Sequence, residues 1–398
     1  MASARAGRFI RQPTGYVAFV PAPLPPEPPI DLDIPLVRLL SEADQAVGRL
    51  DVFTELLVNP DLFVAMYVRR EAVLSSQIEG TQSTLDDVLK FELDESLREI
   101  PKDVDEVVNY VRAMNYGLER VATLPLSLRL LREIHAEVLT GVRGQEREPG
   151  EFRRTQNWIG PQDATLAKAT FVPPPPPEMR TALDNFERFI HQDELPPLMH
   201  CGLAHAQFET IHPFLDGNGR VGRLLITFLL VHRQVLHRPL LYLSYFLKRH
   251  RTEYYDRLMA IRVDGDWEGW LRFFLRGVME TATEAANTAR KIVRLREEHR
   301  LLVEQAGLGM NGLRLIDVLL QRPLVNINLV KDRLGAAGVS FATANNLALA
   351  FQGLGILEET TGGKRNRRFR YSPYLDLFRD EPEDSVSADV GELETTAT

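Results

Sequence analysis

Apolar residues recur at helical spacing through most of the first 300 positions. The pattern begins near Val37, runs to Val58 and breaks at Asn59-Pro60. It resumes through Phe63, Val64, Tyr67, Val68, Ala72 and Leu74, until Gly80 offers a natural stop. The same spacing predicts helices over roughly 103–122, 127–140, 178–192, 195–211, 219–233, 244–263 and 267–302. Strand-like alternation is confined to about 153–173 and 356–372. Eight prolines within residues 13–35 exclude a helix there, because each ring removes an amide donor and clashes one turn back. That segment is expected to be an extended surface lead-in, and the chain as a whole to be mainly α.

Composition adds limits. A chain of 398 residues, 44% hydrophobic and 26% charged, is an ordinary globular protein with room for two or three domains. Its longest apolar run, residues 224–231, is far shorter than the ~18 residues a bilayer requires, so no membrane partner is expected. Cys201 is the single cysteine; it excludes an internal disulfide and fits a reducing cytoplasm. Residues 373–398 hold eight acids against one arginine, a net of −7 in a chain whose total is −8. The acidity thus describes a self-repelling, disordered tail, and the rest is nearly neutral. Immediately before it, Lys364, Arg365, Arg367, Arg368 and Arg370 place five cations in seven residues. The domain reading is a proline-rich lead-in (1–36), an N-terminal helical region (37–100), a central helical region (101–303), a C-terminal module (310–372) and the acidic tail (373–398).

The chemistry concentrates in His212-Pro213-Phe214-Leu215-Asp216-Gly217-Asn218-Gly219-Arg220-Val221-Gly222-Arg223. Pro213 disfavours helical geometry at His212, so the preceding helix should end there and leave the imidazole at the mouth of a loop. Phe214 can anchor that loop in the core. Gly217-Asn218-Gly219 permits a tight turn, and the helix that follows aims unpaired amides back into it, which makes an anion cradle. Arg220 and Arg223, three apart, are expected to emerge on one side and neutralise phosphate oxygens. Asp216 offers a hard oxygen to Mg²⁺ beside them.

This stretch resembles the signature of the Fic (filamentation induced by cAMP) family, His-Pro-Phe-x-Asp-Gly-Asn-Gly-Arg-x-x-Arg, at every specified position. Glu106-Val107-Val108-Asn109-Tyr110, Pro149-Gly150-Glu151-Phe152-Arg153, Gln156-Asn157-Trp158-Ile159-Gly160 and Tyr254-Tyr255 resemble further family motifs, so the likeness covers roughly residues 10–300. It implies a helical bundle with a small β-hairpin flap, and transfer of AMP from ATP to a Ser, Thr or Tyr hydroxyl of a target protein, or of the chain itself. His212 would be the general base, with a near-neutral pKa. Asp216, Gly217, Asn218, Gly219, Arg220, Gly222 and Arg223 would surround the nucleotide, with Asp216 holding Mg²⁺. Doc-type relatives carry Lys at the second loop glycine and transfer phosphate; here that position is Gly219, which favours nucleotidyl transfer. Residues 153–173 resemble the flap, whose Thr170, Phe171 and Val172 would border the nucleotide and whose free edge would register a target by strand addition. Tyr254 and Tyr255 correspond to positions near the adenosine, although adjacent helical residues point about 100° apart and one of them suits the core.

Ser75-Ser76-Gln77-Ile78-Glu79-Gly80 resembles the inhibitory Fic motif, Ser/Thr-x-x-x-Glu-Gly/Asn. Ser75 and Glu79 share a helical face, and the resemblance implies that Glu79 pairs with Arg223 and obstructs the γ-phosphate. Downstream, residues 313–371 read as three helices and a hairpin turned by Gly362-Gly363, an order that resembles a winged helix-turn-helix. Its basic run suits phosphates, but the third helix carries no Arg or Lys, so DNA and protein partners both stay open. Removal of AMP from a modified protein, with Glu79 placing a water, and a DNA-binding regulator with a nucleotide-sensing Fic domain are the alternative readings. The sequence leaves monomer and homodimer open.

Overall fold

The computed structural model describes residues 3–55, 60–94, 100–160, 165–335, 338–363 and 365–379. Lys364 and residues 380–398 of the acidic stretch lie outside the described residues, as do residues 161–164 of the expected flap. The chain divides into two compact units, Met1–Ala289 and Arg290–Thr398. The regions expected at 1–36 and 37–100 therefore fall in one unit with residues 101–289. The division falls inside one long helix rather than near residue 303.

The first unit opens with a hairpin, β1 (Gly7–Arg11) and β2 (Val17–Pro21), in register Phe9 to Phe19. This corrects the expectation of a strandless lead-in. Of its eight prolines, Pro13 sits in the hairpin turn, Pro21 closes β2, and the others lie beyond it, so none breaks the ladder. Helices follow: α1 (Ile34–Glu55), α2 (Pro60–Ile78), α3 (Leu85–Leu93), α4 (Val104–Val121), α5 (Leu128–Leu139), α6 (Pro176–Ile190), α7 (Pro197–Ile211), α8 (Asn218–His232), α9 (Ser244–Arg249), α10 (Arg251–Asp264) and α11 (Trp267–Gln305). The helix expected over 244–263 is broken at His250 into α9 and α10. Local chemistry sets the starts. Thr84 and Asp87 form a capping box for α3, Ser127 caps α5, and α6 and α7 begin on prolines whose missing amide costs nothing there. Every residue of α7 from Leu198 to Ile211 is buried, polar His200, His205, Gln207 and Glu209 included, which makes it the central helix of the unit. It lies against α6 and α8, while α2 lies against α4 and α9.

Among its described residues the strand-like stretch 153–173 forms a single antiparallel bridge, Ile159 to Phe171, beside a short 3₁₀ turn over Leu166–Lys168. Side chains take neighbouring carbonyls. Arg153 donates to the Thr155 carbonyl, and Gln156 donates to those of Asn157 and Pro173.

The second unit runs α12 (Gly309–Gln321), β3 (Leu324–Asn326), α13 (Ile327–Arg333), α14 (Phe341–Gly353), β4 (Glu358–Glu359), β5 (Arg368–Arg370) and α15 (Ser372–Leu375). The strands form an antiparallel sheet in the order β3-β5-β4, with Phe369 paired to both Val325 and Glu359. β3 is too short for its alternation to be read from sequence. Asn326 and Ser340 cap α13 and α14. Residues 373–378, expected to open the acidic tail, are instead helical, with Tyr374, Leu375 and Phe378 buried. The Tyr371 hydroxyl meets His299 Nδ1 at 2.7 Å beneath them. Aromatic burial here outweighs the neighbouring Asp376.

Candidate active site

α7 ends where Pro213 requires it to, and His212 adopts a left-handed conformation (φ 49°, ψ 61°). Three side chains hold this turn by its carbonyls. Arg153 Nε donates to His212 O at 3.0 Å and Asn157 Nδ2 to Phe214 O at 2.8 Å, while Asn218 exchanges two 2.8 Å bonds with the Phe214 backbone. His135 stacks on Phe214 at 3.8 Å. Its Nδ1 accepts from Gly150 N–H at 2.8 Å, which leaves Nε2–H to donate to Asp216 O at 3.0 Å. Burial pushes His135 down to about 4, so this neutral tautomer persists at neutral pH. Arg153 and Asn157 fall in motifs quoted above, but no role was readable for them or for His135. Their contacts bridge 55 to 81 residues and leave no local pattern.

The imidazole of His212 is half-buried, and its Nδ1 is buried with no hydrogen-bond partner among the described residues. Burial, then the nearby Arg153 and Arg262, push it down to about 3. In place of the near-neutral value expected from sequence, partial burial and two nearby cations favour the unprotonated ring.

Gly217 (φ 75°) is the N-cap of α8, a conformation that favours glycine. Its amide is not free for a ligand as expected, since it donates to Asp216 Oδ1 at 2.6 Å. The first amides of α8 remain aimed at the loop. The two arginines diverge. Arg220 is buried and reaches Glu106 on α4 at 3.3 Å, with Asp216 at 4.0 Å. Arg223 is also buried; it donates to Ser75 Oγ at 2.7 Å, the Ser75 carbonyl at 3.0 Å and Glu79 Oε1 at 2.7 Å. Glu79 lies in the turn just after α2, and Gly80 follows with positive φ. Burial alone would raise the Glu79 carboxyl, but Arg223 holds it below the usual carboxylate range. A Cβ built on Gly219 would fall 2.1 Å from Glu79 Oε1, so the carboxylate rests directly on the first turn of α8.

Other expected site residues have different places. Gly222 is buried, and its carbonyl meets His205 Nδ1 at 2.9 Å. Tyr254 is buried, the core place expected of one of the pair, and its hydroxyl donates to His205 Nε2 at 2.9 Å. Tyr254 therefore braces α8 through His205. Tyr255 is 39% exposed, with Arg251 over its ring. Phe171 is buried beneath Arg262, whose guanidinium is 3.8 Å from the ring centroid; Thr170 is exposed and Val172 half-buried. The flap edge at Val172 is already taken, since its carbonyl accepts from Phe19 N–H of β2 at 2.9 Å. In the second unit Arg365 is exposed, and Arg367 is tied to Asn345 of α14. Arg368 and Arg370 are half-buried in β5.

Among the described residues no cluster of three or more His, Cys, Asp or Glu side chains could hold a metal on protein ligands alone. Asp216 fits Mg²⁺ nonetheless: the carboxylate is 41% exposed at the cradle, and Mg²⁺ commonly takes one carboxylate plus substrate phosphates and water. No described helix is long and apolar enough to cross a membrane.

These features define a helical protein built around a cradle at a helix N-terminus. It belongs to the Fic/DOC family, with residues 37–119 matching the Fic/DOC family N-terminal model and 125–230 the Fic/DOC family model. It is 32% identical over 173 residues to Protein adenylyltransferase Fic of Drosophila grimshawi, covering 42% of this chain and 32% of that one. The corresponding protein of Culex quinquefasciatus is 34% identical over 151 residues, covering 37% and 27%. The chain thus spans about a third of the length of these relatives. A crystal structure of a Fic family protein from Desulfovibrio desulfuricans shares the fold (TM-score 0.56, 21% identity, 86% of this chain and 97% of that one). So does a Fic domain containing signaling protein from Bacteroides thetaiotaomicron (TM-score 0.50, 17% identity, 63% and 97%).

Proposed function

We propose that this chain transfers AMP from ATP to a Ser, Thr or Tyr hydroxyl of a target protein, releases pyrophosphate, and is held inactive by Glu79. The observation that carries this reading is the joint placement of His212 and a Glu79–Arg223 pair at the amide end of α8. The target oxygen attacks the α-phosphorus as the bond to the bridging α,β-oxygen breaks, and His212 takes the hydroxyl proton. The first amides of α8 face the phosphates, and Arg220 and Arg223 supply positive charge. Asp216 would hold Mg²⁺, which supplies charge neutralisation on the phosphates when bound. Incubating the Glu79→Gly protein with ATP labelled at the α- or the γ-phosphate tests the reading. Label is expected on protein from the α position alone; label from the γ position would make it a phosphotransferase.

The helix–strand–helix–helix–strand–strand order of the second unit supports a winged helix-turn-helix. α14 carries no Arg or Lys, so the basic wing at 365–370 is the part suited to phosphates. Arg365→Glu with Arg368→Glu is expected to abolish salt-sensitive retention on duplex DNA and to leave transfer unchanged. Wild-type protein that shows no retention even at low salt would assign the module to protein docking.

A further inference from the structure

Two side chains outside the matched segments grip the flap at one residue. The Arg262 guanidinium lies 3.8 Å from the centroid of Phe171, and the Phe19 ring is 6.0 Å from it. The same guanidinium donates from Nε to Thr210 Oγ1 and from its terminal nitrogen to the Glu209 carbonyl, both at 3.2 Å. Those acceptors belong to the last turn of α7, two and three residues before His212. We propose that Arg262 is a positioning residue that fixes the flap, through Phe171, against the helix end that carries the base. The proposal rests on the adenylyltransferase reading of this site, in which the flap presents the target hydroxyl to His212.

The chemistry requires arginine. A planar guanidinium can cover a ring with its face while its edge donates in two directions, which a lysine ammonium cannot do. Burial is the main influence on Arg262 and pushes it down to about 10, so it remains charged at neutral pH. Arg262 on α10 also shares the surroundings of His212 with Arg153 and with Glu79 after α2. The Glu209 carboxyl is buried one turn earlier on α7.

Amide hydrogen exchange tests the clamp without activity. Ile159 and Phe171 donate to each other's carbonyls at 2.8 and 3.0 Å, so their amides report the flap. In Arg262→Met both should exchange at least roughly tenfold faster, the scale of a lost desolvated cation–π contact, while α7 amides before Thr210 keep their protection. Arg262→Lys should fall between the two, and it stands in if the Met variant does not fold. In the Glu79→Gly background, with His212→Ala protein added as acceptor, Arg262→Met should raise the acceptor KM roughly tenfold and leave the ATP KM within about twofold. Unchanged flap exchange overturns the proposal, as does an ATP KM that rises as far as the acceptor KM. Faster exchange in a protein that transfers no α-label would keep the clamp and overturn the adenylyltransferase reading instead.

Discussion

The Glu79→Gly protein is expected to modify itself with AMP up to ~10²-fold faster than wild type, the gain available if the brake leaves ~1% of molecules competent. The geometry gives the reason. Glu79 Oε1 lies 2.7 Å from Arg223 and occupies the space where a Cβ on Gly219 would sit. A triphosphate chain laid along the first turn of α8 would compete with that carboxylate for both the arginine and the space. Removing the carboxylate leaves Arg223 in place, because Ser75 still accepts two of its hydrogen bonds through its hydroxyl and carbonyl. Arg223→Ala added to Glu79→Gly should therefore reverse much of the gain, since carboxylate and phosphate need the same cation. Self-labelling of wild type, both single variants and the double decides the matter. Equal rates in wild type and Glu79→Gly would make Ser75 to Gly80 merely a helix end. Acid is not expected to release the brake near neutral pH. A carboxylate whose folded pKa is depressed keeps its pairing energy above the unfolded value and loses it only as pH falls through the lowered one.

Most helices of the first unit were legible because each buries one face or, in α7, every face, and 3.6-residue spacing records that directly, whereas the nine-residue α3 was not read and α9 and α10 were read as one. The loop from His212 to Arg223 was legible because proline, glycine and asparagine carry their turn chemistry in their own covalent structure. What sequence could not show is where long polar side chains end. Arg220 and Arg223 are one helical turn apart, yet one is held by Glu106 from α4 and the other by Ser75 and Glu79 from the end of α2. Their side chains therefore end on different partners. Of Tyr254 and Tyr255, sequence could say that one suits the core but not which; it is Tyr254, whose hydroxyl serves His205 there. The β1–β2 hairpin was hidden by prolines counted together rather than by position. The bond from β2 to the flap at Val172 was hidden for a related reason, because nothing in residues 17–21 announces that β2 will dock there.

His212→Ala is expected to reduce transfer by at least ~10²-fold in the Glu79→Gly background while leaving ATP affinity roughly intact. Both halves follow from the loop. Arg153 and Asn157 hold residue 212 by its carbonyl, not its side chain, so truncation removes the proton acceptor without releasing the turn or the cradle beyond it. Single-turnover transfer together with calorimetric ATP binding measures the two separately. Transfer within about threefold of the parent would remove His212 from the mechanism, and loss of ATP binding would make it a structural residue. The pH profile sharpens the test. Burial, Arg153 and Arg262 depress the imidazole to about 3, and the neutral form is the competent base, so activity is lost only as pH falls toward that value. The kcat/KM of the parent variant, which reports the free enzyme, should thus be flat between pH 6 and 8 with no acid limb near ~6.5, the ordinary histidine value. An acid limb at that ordinary value would mean that the ring titrates in a wetter and less cationic setting than the one formed by Arg153, Arg262 and the end of α7.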